Sequence, residues 1–156
     1  MEFRSRGVRG LVELHDRELR HFLKTWNRFV AMNAPMPEAR GDVSYGDREH
    51  LAGHVLMAAR SYLTWIGECV GRPVTDVEAT RDINEIASRA KDFMENVLAA
   101  WQRNLADLTD EECAPKVYTS RWGEPYDIEQ MLEHAVVHPM RHRFQLEKIM
   151  EASPLT

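Results

Sequence analysis

The stretch EHAVVHPMRHRFQL, residues 133–146, sets His134, His138 and His142 four residues apart and puts Pro139 directly after the middle one. Proline removes one helical hydrogen bond and crowds the carbonyl four residues back, here that of Ala135. It also biases the preceding residue, His138, away from helical geometry. The chain therefore either breaks at His138 or passes through as one kinked helix. The apolar stripe decides between them. Ile128, Leu132, Ala135, Pro139, His142, Leu146 and Ile149 keep one phase across the proline at about 3.6 residues per turn, and a true break would reset it. The reading is a single kinked helix, opened by Asp127 with Gln130 and running to about Glu151.

Working back from that helix, the same periodicity covers most of the chain. From Val8 to about Met32, Leu11, His15, Leu19, Phe22, Trp26 and Phe29 recur every three or four residues and predict one buried face. The stretch NAPMPEARGDVSYG then ends the helix in a long connection. Asp47 is the expected N-cap of a second helix through Leu51, Val55, Tyr62 and Ile66, stopped by Gly71 and Pro73. A third begins near Asp82, with Glu85 in the position of a capping box, and carries Ile86, Phe93, Val97, Trp101 and Leu105 inward. Between Leu108 and Tyr126, Pro115, Gly123 and Pro125 around the β-prone KVYTS predict a loop or short hairpin. Four helices without a set of strands predict an all-α protein, a four-helix bundle in one domain spanning residues 1–156. The long connections after the first and third helices leave room for a crossover.

Composition narrows the function classes. A net charge of −5 over 156 residues argues against a protein that grips nucleic acid. Two cysteines, Cys69 and Cys113, make neither a disulfide framework nor a thiolate metal site. The opening MEFRSRGVRGLVELHDREL lacks the apolar core of a secretion signal, and no apolar run approaches the roughly 18 residues that suggest a bilayer span. A cytoplasmic protein without membrane attachment is the expectation.

The histidines carry the chemistry. At about 100° per residue, His142 falls inside the last helix's stripe, His138 roughly 40° away at its shoulder, and His134 roughly 40° further, toward the rim. An i, i+4 pair of imidazoles can aim at one point, as in helical zinc sites; isolated helical histidines are more often surface or hydrogen-bonded core residues. The second helix offers His54 at its stripe's shoulder and His50 nearer solvent, so His54 is the better third ligand and His50 a first-turn surface residue. Three imidazoles from two helices leave a coordination position open, the pattern of catalytic sites. Nitrogen ligation suits Zn, Ni, Fe or Cu. On the first helix, His15 and Glu18 share the apolar face. A buried carboxylate needs a partner, so Glu18 is expected to meet an arginine, a histidine or a backbone group, with a supporting role behind a metal-bound imidazole as the alternative. Ferritin-like ligation fails because only Glu18–His21 has the Glu-x-x-His spacing. Hemerythrin-like ligation fails because residues 81–107 contain no histidine, and no HExxH occurs.

Taken together, LAGHVLMAARSYL in the second helix, the lead-in GEPYDIEQMLEHAVVH and the H-x-x-x-H-R-x-Q run from His138 to Gln145 resemble the DinB/YfiT-like metalloenzyme family. The resemblance spans essentially the whole chain in helix order and length. It implies a four-helix bundle, often a homodimer, with a divalent metal, Zn or Ni ahead of Fe, on His54, His138 and His142. This chain departs from the pattern with Phe144 where glycine is common and Arg141 where another histidine often stands. Some members of the wider family transfer or use low-molecular-weight thiols, so the resemblance implies a metal-dependent thiol S-transferase acting on a small electrophile. A thiol at a metal is deprotonated, and thiolate is the nucleophile. An anionic thiol would call for cations at the bundle mouth, for which Arg121, Arg141 and Arg143 are the candidates, set against the ordinary solvated role of helix arginines. Trp122 and Tyr126 either wall the pocket or anchor the hairpin. The competing readings are a non-catalytic metal-binding protein and a metal-free dimeric scaffold. Val137, Met140 and Phe144, on the far side of the last helix, await a further helix or a second subunit.

Overall fold

A computed structural model of the chain describes residues 2–36, 46–114, 116–120 and 123–152. Among these, six helices and one two-stranded hairpin follow in the order α1 (Arg6–Ala31), α2 (Arg48–Cys69), α3 (Ile83–Ser88), α4 (Ala90–Leu105), α5 (Asp110–Cys113), β1 (Tyr118–Thr119), β2 (Pro125–Tyr126) and α6 (Ile128–Ala152). The protein is an all-α bundle, as the periodicity predicts. Much of the connection expected over residues 33–46 lies outside the described residues, as do Arg121 and Trp122.

Local chemistry sets the helix ends. The Ser5 hydroxyl accepts from the Val8 amide to start α1, and Asn33, at φ 50°, takes the left-handed turn that closes it. Asp47 caps α2 through the His50 amide at 2.6 Å, and Gly71 supplies the positive φ of 71° at its end. Asp127 and Gln130 open α6 reciprocally: the Gln130 amide donates to the Asp127 carboxylate at 2.8 Å, and the Asp127 amide to the Gln130 side chain at 3.0 Å. The helix then continues through Pro139 without a break, and Pro139 is buried.

The third helix differs from expectation. Asp82 does cap it, but Glu85 does not close the box. Its carboxylate accepts instead from the Thr80 hydroxyl at 2.9 Å and from Arg89 at 3.0 Å. At Arg89, φ −122° and ψ 30° interrupt the helix and divide it into α3 and α4. No proline or glycine stands at the interruption. α3 leans on α2 at Gly53, where an added Cβ would stand 2.4 Å from both the side chain and the carbonyl oxygen of Ile83. A straight continuation from α4 need not meet that contact, and the turn at Arg89 lets α3 reach it. The short α5 was also not foreseen, although Thr109 and Glu112 form a complete capping box around it. The expected hairpin is present, with Tyr118 opposite Tyr126 and Thr119 opposite Pro125.

The four long helices pack in a ring in which α6 and α4 each touch both α1 and α2. Consecutive helices α1 and α2 thus sit mainly across the bundle, the crossover for which the long connection left room. Leu19, Phe22, Leu63, Phe93, Trp101 and Leu146 are among the fully buried side chains. Indole hydrogen bonds pin the frame: Trp101 Nε1 donates to the Ala59 carbonyl between α4 and α2, and Trp26 Nε1 to the Arg48 carbonyl between α1 and α2, each at 3.0 Å. α2 and α6 are direct neighbours, so residues on their facing stripes can meet.

Because the missing Cβ at Gly53 faces backbone as well as side chain, Gly53→Leu should force α3 away from α2. A loss of about 1–3 kcal/mol is expected from overpacking, read as a lower urea midpoint than wild type.

Candidate metal centre

His54 comes from the second turn of α2, and His138 and His142 from successive turns of α6. The structure brings these three together. Their ring centroids lie 5.0 Å (His54–His138), 5.5 Å (His54–His142) and 4.9 Å (His138–His142) apart. One ring nitrogen from each falls within 4.8 Å of the other two, an arrangement that could hold a metal ion. His142 is fully buried, while His54 and His138 are half-buried and line a cavity.

The donor chemistry fits a cation. His54 Nε2 and His138 Nε2 face each other at 3.1 Å. With metal–nitrogen bonds of about 2.0–2.1 Å, two nitrogens at that separation would subtend roughly 100° at a shared ion, between octahedral and tetrahedral values. In the absence of an ion, one imidazole must donate to the other, and His138 Nδ1 remains buried with no hydrogen-bond partner. Burial, followed by the neighbouring imidazoles and Arg141, holds the His138 pKa down to about 2. The ring is therefore neutral, the state a metal ligand requires.

A family model described as the DinB family matches residues 45–151. The chain belongs to the DinB family. The matched stretch takes in α2 to α6 and all three clustered histidines; α1 precedes it. Neither the curated proteins nor the solved structures gave a significant match. In this DinB-family bundle, the cavity beside the histidines measures about 350 Å³ and is walled by Met57, Ala58, Tyr62, Trp65 and Ile83. Burial, reinforced by nearby Tyr126 and opposed by Arg141, raises the Tyr62 pKa to about 12, so its hydroxyl is a neutral donor. His134 is half-buried outside the cluster, stacked on Tyr126 at 5.6 Å and 19°, with Tyr62 at 5.5 Å. Tyr126 in turn meets Trp65 edge-on at 6.0 Å. The hairpin anchor and the pocket wall are thus one aromatic group, which joins the two roles considered for Tyr126.

The three arginines nominated as anion sites fare differently. Arg141 is exposed, yet close enough to lower the pKa of Tyr62, His134 and His138 through its charge. Arg143 is engaged elsewhere: it donates to Glu18 on α1 at 3.1 Å and to Glu147 at 2.9 Å, with its guanidinium carbon 4.4 Å from the Phe144 ring. These contacts tie α6 to α1. Arg121 lies outside the described residues. Glu18, 3% exposed, finds the arginine partner expected of it, with Arg17 as a second at 3.1 Å. His50 sits in the first turn of α2, outside the cluster.

His15 is fully buried, stacked on Trp101 at 4.0 Å and 22°, and neither of its ring nitrogens has a hydrogen-bond partner. Burial lowers its pKa to about 3. The unfolded chain takes up this proton near the ordinary value of about 6.5 and the folded chain only near 3, so His15 weakens the fold progressively as pH falls through that window. For these two values the difference is about 2 kcal/mol at pH 5. Urea unfolding of His15→Phe should therefore lose less stability between pH 7 and pH 5 than wild type by about that amount.

Proposed function

We propose that His54, His138 and His142 hold a divalent metal ion, Zn or Ni in preference to Fe, and that the site transfers a low-molecular-weight thiol to a small electrophile. The observation that carries this reading is the convergence of three imidazole nitrogens from two helices on one side of an open, mostly apolar cavity. A cluster that only tied α2 to α6 would not need that space above it.

A bound divalent ion would supply Lewis acidity, which lowers the pKa of a coordinated thiol so that thiolate is available at neutral pH. The residues of the chain supply the rest. The apolar wall lowers the local polarity and so raises the effective strength of charge interactions beside it. The thiol proton leaves to solvent, sulfur forms a bond to the electrophilic carbon, and the leaving group departs with the bonding electron pair. Tyr62, neutral and lining the same cavity, would donate a hydrogen bond to an oxygen of the electrophile or leaving group. Neither protein cysteine suits the nucleophile's role. Cys113 is raised to about 11 and Cys69 is also raised, both chiefly by burial, so neither is activated and the thiol is a cosubstrate.

Protein purified without an affinity tag and analysed for metal should carry close to one equivalent. His54→Ala, His138→Ala and His142→Ala should each cut the content about tenfold, and His134→Ala should retain it; equal losses in all four would refute the ligand set. Thiol consumption with glutathione, cysteine and other small thiols against 1-chloro-2,4-dinitrobenzene should follow metal content across the same variants.

A homodimer belongs to the same reading. Val137 and Phe144, 50% and 53% exposed, project from the face of α6 that no helix among the described residues covers. Light scattering at micromolar concentration should give twice the chain mass, and Phe144→Asp should shift it toward the monomer.

A further inference from the structure

One face of α2 supplies most of the wall of the histidine cavity. At about 100° per residue, positions 54, 58, 61 and 65 lie along one line, with 57 and 62 on either side of it. His54 and Trp65 therefore stand on a single strip, roughly 16 Å apart along the axis at 1.5 Å per residue. Met57, Ala58, Trp65 and Ile83 are half-buried rather than buried, so the strip turns apolar surface toward a concave space of about 350 Å³. Apolar surface gathered in a concavity marks a place for a ligand. No Asp, Glu, Lys or Arg is among the described residues that line it.

The aromatic part of the wall is braced from outside. Trp65 meets Tyr62 at 6.4 Å and 45°, and Tyr126 at 6.0 Å and 75°. Both tyrosines in turn meet His134, at 5.5 Å and 5.6 Å. The four rings form a closed circuit joining α2, β2 and α6, and it holds the Trp65 indole and the Tyr62 phenol as a preformed aromatic surface.

We propose that the electrophile taken by this site is an uncharged molecule built on an aromatic system of about two fused rings, its rings packed on Tyr62 and Trp65 and an acceptor oxygen facing the Tyr62 hydroxyl. The proposal rests on the reading of the histidine cavity as the substrate site and names the class of molecule that site selects. A charged group lodged against Met57, Ala58 and Ile83 would give up water without a described partner of opposite sign in the lining. Arg141, whose charge reaches Tyr62 and His138, is exposed and stays outside that lining. The aromatic circuit, together with the polarisable Met57 thioether, favours flat rings over branched aliphatic bodies. The Tyr62 hydroxyl donates to no other described residue, which leaves it for an oxygen of the ligand.

Displacement of the uncharged fluorophore N-phenyl-1-naphthylamine from the protein, purified without a tag, tests this. 2-Acetonaphthone, which has both rings and a carbonyl, should compete about fivefold better than 2-ethylnaphthalene, and Tyr62→Phe should remove the difference. 2-Naphthalenesulfonate and trimethyl(2-naphthyl)ammonium carry the same rings with a negative or a positive charge. Each should compete at least about tenfold more weakly than 2-acetonaphthone. Trp65→Leu should weaken the naphthyl ligands about three- to tenfold. Ala58→Trp should abolish dye binding by filling the cavity, with Ser61→Phe as the second filling variant if thermal melts show the first to be unfolded. The proposal is overturned if wild type does not bind the dye, if either charged analogue competes as well as 2-acetonaphthone, if Tyr62→Phe leaves the ketone's advantage intact, or if a folded filling variant still binds the dye. Metal content, measured on the same samples, separates this proposal from the reading beneath it. Protein that holds metal but fails these competitions loses only the substrate class, whereas protein without metal fails the metal-centre reading whatever the dye does.

Discussion

Two imidazole nitrogens held 3.1 Å apart across the seam between α2 and α6 are the constraint around which the rest of the molecule is arranged. Such a contact between half-buried rings is fixed only if both helices are fixed, in rotation as well as in position. The indole hydrogen bonds of Trp101 and Trp26 hold α2 from two sides, and Glu18 with Arg143 ties α6 to α1. The pairing of a buried carboxylate with a guanidinium contributes little beyond its own desolvation cost. The pair joins α6 to α1 one residue away from His142, on the helix that also carries His138.

Much of this arrangement was legible in the sequence because helices announce both their faces and their ends. Asp47, Asp82 and the Asp127–Gln130 pair cap where expected, and the stripe that stays in phase across Pro139 does correspond to one helix. The histidines were legible for the same reason. A phase angle relative to the apolar stripe ranks them by depth, and His142, His138 and His134 fall in that order in the structure, with the first two joined by His54. The DinB-like motif pointed to the same trio.

What was not legible depends on neighbours that periodicity does not name. Glu18 clearly needed a partner, yet nothing in its own helix pointed to Arg143, 125 residues away. The interruption at Arg89 has no proline or glycine to mark it, and the contact of α3 with Gly53 leaves no trace in the apolar periodicity. Arg143 lies within the histidine motif, so its place in the sequence points to the metal centre, whereas its guanidinium reaches Glu18 on α1 and Glu147. The α5 turn is a different case: its Thr109–Glu112 signature was present and simply lies in a stretch too short for an apolar stripe.

Ile83 deserves a last consequence. It is the residue that presses against the bare Cα of Gly53, and it also stands in the wall of the histidine cavity. A single side chain at the head of a six-residue helix thus links the packing of α3 on α2 to the shape of the chamber beside the histidines. Bulk at that position acts as a ruler: a smaller residue would enlarge the chamber and admit longer or branched guests, and a larger one would shorten its reach.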